Sequence, residues 1–307
     1  MPPKPPDGPV AILGVTGRVG RRLTLRLGDG WRGLARGNEP RRTLAAELGL
    51  GLSAVRWADR RDREAIREVL RGCAAVIDLC AFDADDVTPV RAALEQVAPD
   101  CERVLFASSM AAAPRDDAPL DAYGAGKRAA ESAWRALGLP LATLHIGQLV
   151  DPRDTTGREA AWLQAWRAIG APPPLRGTGA QRLQLTPIDG LVEVLVALRM
   201  LPVDALPTAP LPLVSPTAHT AAELVGALAT GAGLPVEQIV FGGDARDGPF
   251  GGGDERVDTS ATARALRLDD HAWRALWPDT LGALTALGRT VAEAHAAVAS
   301  DNTQTGH

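Results

Sequence analysis

A chain of 307 residues, 46% apolar and 23% charged, has material for one large core or two unequal ones and the balance of a soluble globular protein. Its formal net charge of -4 lacks the basic surface on which a generic nucleic-acid binder depends. No run approaches the roughly 18 apolar residues of a membrane span, and Met1 to Pro9 carry no apolar region of the kind a secretory signal needs. A cytoplasmic protein is therefore expected. Cys73, Cys80 and Cys101 are odd in number and have no CxxC spacing, and the five histidines are scattered. Reduced thiols and no metal site follow.

After residues 1–9, expected without fixed structure, an apolar run at 10–13 ends in Gly14, Gly17 and Gly20. Val19, Leu23 and Leu27 then fall four apart, a helical spacing. Strand, glycine turn and helix start together make a dinucleotide-binding opening. Glycine lets the backbone approach a pyrophosphate, and the helix N-terminus offers free N–H groups. Thr16, Arg18 and Val19 lie within this turn and are expected to share the site.

Residues 31–35 and 52–57 read as strands, with a helix at 39–48 between them. An amphipathic helix at 62–70 buries Ile66, Val69 and Leu70, and 74–80 is a fourth strand. A helix is expected at 89–97, with Thr88 as N-cap and Pro89 in its first position. Residues 103–107 form a fifth strand leading into Ser108-Ser109, a helix runs from Tyr123 to about 137, and 141–146 is a sixth strand. Strands alternating with short helices predict an α/β, doubly wound parallel sheet with right-handed crossovers, which binds ligands at the carboxyl ends of its strands. Gly14, Arg36, Asp59, Cys80, Ser109 and Gly147 fall at such ends and should line one crevice.

Beyond 150 the alternation loosens. Helices are expected at 159–169, 189–200, 221–229 and 280–298, a short strand at 211–214, and a glycine- and aspartate-rich loop or lid at 242–253. The organisation predicted is a dinucleotide-binding domain over 1–150, a smaller mixed α/β substrate domain over 151–299, and a frayed tail at 300–307.

Tyr123-Gly-Ala-Gly-Lys127 contains the single tyrosine of the chain and one of its two lysines, the other being Lys4. On a helix, positions i and i+4 share a face at about 5–6 Å between Cβ atoms. An ammonium there favours the phenolate and draws a reference pKa of about 10 towards working pH. A tyrosine so placed can act as a general acid or base.

With these segments in order, the chain resembles the extended short-chain dehydrogenase/reductase family, also called the NAD-dependent epimerase/dehydratase family, over nearly its whole length. Gly14, Gly17 and Gly20 match the family's GxxGxxG, Asp59 its adenine-contacting acid, and Asp78-Leu79-Cys80-Ala81 its His-Leu-Ala-Ala segment. Phe106-Ala107-Ser108-Ser109 matches Phe-x-Ser-Ser, and Tyr123 with Lys127 the Tyr-x-x-x-Lys pair. His145-Ile146-Gly147-Gln148 to Arg153 matches the segment after strand six, and Gln181-Arg182 resembles a stretch that holds a substrate diphosphate.

The resemblance implies catalytic roles for Tyr123, Lys127 and Ser109. Tyr123 moves a proton to or from a substrate oxygen, Ser109 hydrogen-bonds that oxygen, and Lys127 binds the nicotinamide ribose. It further implies cofactor contacts from the glycine turn and from Arg36, Asp59, Arg60, Leu79, Cys80, Ala81, Ala107, Ser108 and Ile146. Substrate contacts are implied for Phe82, Ser109, Met110, Gln148 and Arg182. The family commonly pairs as a homodimer through two helices, one of them the Tyr123 helix.

This chain departs from the pattern at several points. No acidic residue ends the second strand; Arg36 stands there, with Arg18, Arg41 and Arg42 nearby. Arginine suits a 2′-phosphate, so NADP is expected in preference to NAD. Gln148 replaces an asparagine, and Gly190 follows Asp189 where a second aspartate is common. The functions implied are an oxidoreductase acting on a ketone or secondary alcohol, or a sugar-nucleotide epimerase or dehydratase with recycled cofactor. A non-enzymatic sensor on the same fold is the remaining alternative.

Overall fold

A computed structural model describes residues 8–37, 52–113, 119–242, 249–250 and 256–304. The helix expected at 39–48, most of the 242–253 loop, and the first seven residues lie outside the described residues. In chain order the first elements are β1 Val10–Leu13, α1 Arg18–Leu27, β2 Trp31–Ala35, β3 Val55–Trp57 and α2 Arg63–Leu70. They continue as β4 Ala75–Asp78, α3 Ala84–Val97, β5 Arg103–Ser109, α4 Ala122–Arg135 and β6 Leu141–Ile146.

Then come β7 Leu149–Val150, α5 Arg158–Ile169, β8 Leu175–Arg176, β9 Arg182–Leu183, β10 Thr186–Pro187 and α6 Ile188–Met200. Next are β11 Leu211–Leu213, β12 His219–Thr220, α7 Ala221–Gly231 and β13 Phe241–Gly242. The last helices are α8 Ser260–Ala265, α9 Asp270–Ala275 and α10 Thr280–Gln304.

Seven strands form one parallel sheet in the order β3-β2-β1-β4-β5-β6-β11. This is the doubly wound arrangement, in which the strand order reverses beside β1. Leu13, Val76, Val104 and Phe106 of the sheet pack with Ile66, Val69 and Leu70 of α2, Val90 and Leu94 of α3, and Trp134 of α4. Burying each such side chain contributes roughly 1.5–3 kcal/mol, so the helix periodicity is what fastens these helices to the sheet.

Two boundaries differ from the sequence reading for local reasons. Helix α3 starts at Ala84 rather than Pro89, because the Asp83 side chain caps it by accepting from the Asp86 amide at 3.1 Å. Pro89 sits inside the helix, and Thr88 donates back to the Ala84 carbonyl at 3.0 Å instead of capping. Leu52–Ala54 form a 3₁₀ turn, so the strand expected at 52–57 is reduced to β3.

The chain divides into two compact units, and not at a single point along the sequence. The first comprises residues 1–147, 190–213 and 259–276, and the second residues 148–189, 214–258 and 277–307. Strand β11, far along the chain, is therefore the seventh strand of the first unit's sheet. The second unit is built on α5, α7 and α10, with Trp162, Leu163, Trp166, Leu224, Leu228, Leu284 and Val291 in its core. Three two-stranded pairings, β7 with β10, β8 with β13 and β9 with β12, complete it. No helix among the described residues is long and apolar enough to cross a membrane.

Candidate active site

The carboxyl ends of β1 to β4 open onto a cleft of about 400 Å³ lined by Gly14, Thr16, Gly17, Arg36, Asp59, Arg60, Arg61, Leu79, Cys80, Phe82 and Asp86. Gly14 has φ +87°, and a Cβ there would lie 2.9 Å from the Cys80 Cβ, so the turn needs glycine. Gly17 is the N-cap of α1 and supplies no side-chain cap, which leaves amide groups at the first turn for a ligand. A Cβ on Gly20 would meet the Gly14 and Val15 carbonyls at 2.5 Å, so α1 begins directly on the turn. A cleft beside a glycine turn and a helix N-terminus fits a dinucleotide.

Across the cleft floor lies a buried ion pair. Arg60 donates through Nη2 to Asp78 Oδ2 at 3.1 Å, and Asp78 is fully buried at the end of β4. Burial opposes both charges, but each holds the other ionised: Asp78 lies below the usual carboxylate range and Arg60 above its usual value. Of the cleft arginines, Arg60 is thus committed within the protein, while Arg36 and Arg61 are exposed on the lining. Cys80 is accessible from the cleft, yet the protein packed round its sulfur and then the Asp78 carboxylate push the thiol up to about 12.

Lys127 is buried. Its Nζ donates to the Ala81 carbonyl at 2.7 Å and the Ala107 carbonyl at 3.0 Å, and stands 5.4 Å from the centre of the Phe106 ring. Burial draws the ammonium below the ordinary lysine value, with Asp78 opposing that shift. One turn earlier on α4, Tyr123 is exposed, its ring 5.7 Å from that of Phe82.

The two glycines between them explain why a helix tolerates both. A Cβ on Gly124 would lie 2.2 Å from the Ala111 carbonyl, and one on Gly126 3.1 Å from the Phe82 carbonyl. The Tyr123 helix therefore rests directly on the turn that follows Ser109 and on the segment that follows β4. Ser109 Oγ accepts from the Ala111 amide at 3.2 Å, capping the turn Met110–Ala112.

No protein-family model matches the sequence, and no curated protein matches it. Solved structures do match. UDP-glucuronic acid 4-epimerase from Bacillus cereus, in complex with UDP-glucuronic acid and NAD, is 13% identical with a TM-score of 0.71, covering 93% of this chain and 99% of that one. DesIV, a dTDP-glucose 4,6-dehydratase from Streptomyces venezuelae with NAD bound, is 15% identical with a TM-score of 0.71, covering 94% and 98%. The Bordetella bronchiseptica enzyme WbmH, in complex with NAD+, is 17% identical with a TM-score of 0.66, covering 91% and 96%. The chain shares the fold of these structures.

Within that fold, several residues near the site escaped the sequence reading. Glu131, a turn beyond Lys127 on α4, is buried and accepts from Ser108 Oγ at 2.5 Å, with His145 Nε2 at 2.9 Å from the same oxygen. Burial pushes its carboxyl up, but the contacts with His145 and Ser108 outweigh that and hold it below the usual range. The Ser108 hydroxyl is spent there rather than in the cleft. Trp134 Nε1 donates to Asp78 Oδ2 at 3.2 Å. The 4-residue spacing of Tyr123, Lys127 and Glu131 was a usable signal for Glu131; Asp78, a charge closing an apolar strand, was another.

Ala81, Ala107 and Ile146 are buried, the first two presenting carbonyls to Lys127, and Val19 is buried in the first turn of α1. Met110 lies in the Ser109 turn. The Asp59 carboxylate accepts from the Arg61 amide at 2.9 Å, shaping the turn after β3. Gln148 and Arg182 belong to the second unit: Gln148 donates to Glu159 and to the Pro249 carbonyl, and the exposed Arg182 reaches the Ala218 carbonyl at 3.4 Å.

Proposed function

We propose that the protein is an NADP-dependent enzyme of short-chain dehydrogenase/reductase type, acting at a secondary alcohol or ketone carbon of a small molecule. The observation that carries this reading is Lys127. An ammonium has three donors; two are taken by Ala81 and Ala107, leaving one for a ribose hydroxyl beside the cleft. When bound, the nicotinamide supplies the hydride donor or acceptor. Tyr123, on the same helix, moves the proton at the substrate oxygen. Ser109 accepts from Ala111 through a lone pair, so its own hydroxyl proton stays available to hold that oxygen.

NADP is favoured by the end of β2, where Ala35-Arg36-Gly37 offers no carboxylate to ribose hydroxyls and Arg36 faces the cleft. The structures compared above hold NAD, and NAD is the alternative cofactor. Two of those structures are of enzymes named for sugar nucleotides, UDP-glucuronic acid and dTDP-glucose, which supports a second reading in which a sugar nucleotide is epimerised or dehydrated with the cofactor recycled. The purified protein's absorbance separates the two: tightly held nicotinamide without net consumption favours recycling, and steady NADPH loss favours reduction.

Against a panel of ketones, secondary alcohols and sugar nucleotides, Tyr123→Phe is expected to lower turnover by roughly 10²–10⁴ with cofactor affinity unchanged. Full activity in that variant refutes the reading.

A further inference from the structure

Asp78 ties the turn that receives Lys127 to the helix that carries it. Its Oδ1 accepts from the Cys80 and Ala81 amides, both at 3.1 Å, and so folds the turn whose Ala81 carbonyl receives the Lys127 ammonium. Its Oδ2 accepts from Trp134, two turns along α4 from Lys127, at 3.2 Å, and from Arg60 at 3.1 Å. Arg60 lines the cleft while its Nε, buried and without a hydrogen bond, has Asp86 4.0 Å away. A single carboxylate therefore ties the wall of the cleft at β3, the turn after β4, and the helix that carries Tyr123 and Lys127.

We infer that the Arg60–Asp78 pair is a positioning device that sets both the placement and the charge of Lys127. The relevance to turnover rests on the function proposed above; the effect on Lys127 does not. The groups facing Lys127 are Asp78 from β4, Cys80 from the turn after it, Arg60 from the segment after β3 and Asp86 from α3. Tyr123, Arg128 and Glu131 lie on its own helix. The two members of the pair act on the ammonium with opposite sign. Asp78 favours the charged form against burial, and Arg60 opposes it. Removing either charge alone therefore moves Lys127 in a direction fixed by which one is removed, and loss of packing does not produce that pattern.

The chain has only two lysines, Lys4 and Lys127, so ¹³C-lysine labelling of the full-length protein yields two side-chain Cε signals with Lys4 as an internal reference. Titrated from neutral to alkaline pH, Lys127 in the wild type is expected to deprotonate at lower pH than Lys4. Asp78→Asn keeps the size and an acceptor oxygen for the turn, and should move the Lys127 midpoint down by about one pH unit or more. Arg60→Gln keeps a donor towards Asp78 and should move it up. If Asp78→Asn does not fold, Arg60→Gln alone decides. Midpoints unchanged from wild type, or both variants shifting the same way, overturn the inference. Because the readout needs no substrate, a failed Tyr123→Phe result leaves it standing, and a failed titration leaves the Tyr123 reading standing.

Discussion

Replacing Glu131 tests whether the buried cluster behind Lys127 anchors the helix that carries Tyr123 and Lys127. Glu131→Ala removes an acceptor shared by Ser108 and His145 and leaves both polar groups buried between β5, β6 and α4. A hydrogen bond to a charged group is worth about 1.5–3 kcal/mol, and breaking a buried charged cluster about 3–5 kcal/mol. The expected loss in the first unit is thus about 3–5 kcal/mol, a large part of a typical 5–15 kcal/mol.

Glu131→Gln keeps the Ser108 bond and should cost about 1–3 kcal/mol at neutral pH. The folded Glu131 carboxyl lies below its unfolded value of about 4.3. The ionised group therefore contributes stability above that pH, and the contribution is lost as pH falls through the folded value. The gap between wild type and Glu131→Gln should stay level down to about pH 5 and close in stronger acid. Urea titration read by hydrogen exchange in peptides of β5, α4 and β6 reports on the first unit alone. A loss under about 0.5 kcal/mol in Glu131→Ala, or a gap that persists in acid, refutes the argument.

Arg36→Ala should weaken NADPH binding about 10–100-fold, the worth of one charge-assisted hydrogen bond, and NADH binding far less; equal losses by fluorescence titration remove the phosphate argument. Gly124→Ala would stabilise an ordinary helix by up to about 1 kcal/mol, but the added Cβ meets the Ala111 carbonyl at 2.2 Å. It should destabilise by about 1–3 kcal/mol and lower turnover, as thermal melting and a substrate panel would reveal. In the second unit, a Cβ on Gly288 would lie 2.2 Å from the Leu228 carbonyl, so Gly288→Ala should force α7 and α10 apart at a similar cost. Hydrogen exchange in those two helices should rise.

The features legible in the sequence are local. The apolar run before Gly14, the alternation of strands with helices, and the four-residue step from Tyr123 to Lys127 depend on short-range geometry, and a periodicity reads that directly. The parallel sheet and the cleft beside the glycine turn follow from such signals. Local chemistry can compete: Pro89 has the character of a helix start, but the carboxylate of Asp83, six residues earlier, caps α3.

Contacts that depend on strand order and register emerge with the assembled fold. Ser108 meets Glu131 and His145 because β5 and β6 pair Ser108 with His145 under α4. Arg60 meets Asp78 because the order β3-β2-β1-β4 brings the end of β4 within reach of an arginine side chain from beyond β3. Strand β11 joins the sheet some 65 residues after β6 (from Ile146 to Leu211), with nothing in its three residues to name that partner. Each is a contact between segments that share no periodicity, and its energy exists only once the sheet has assembled.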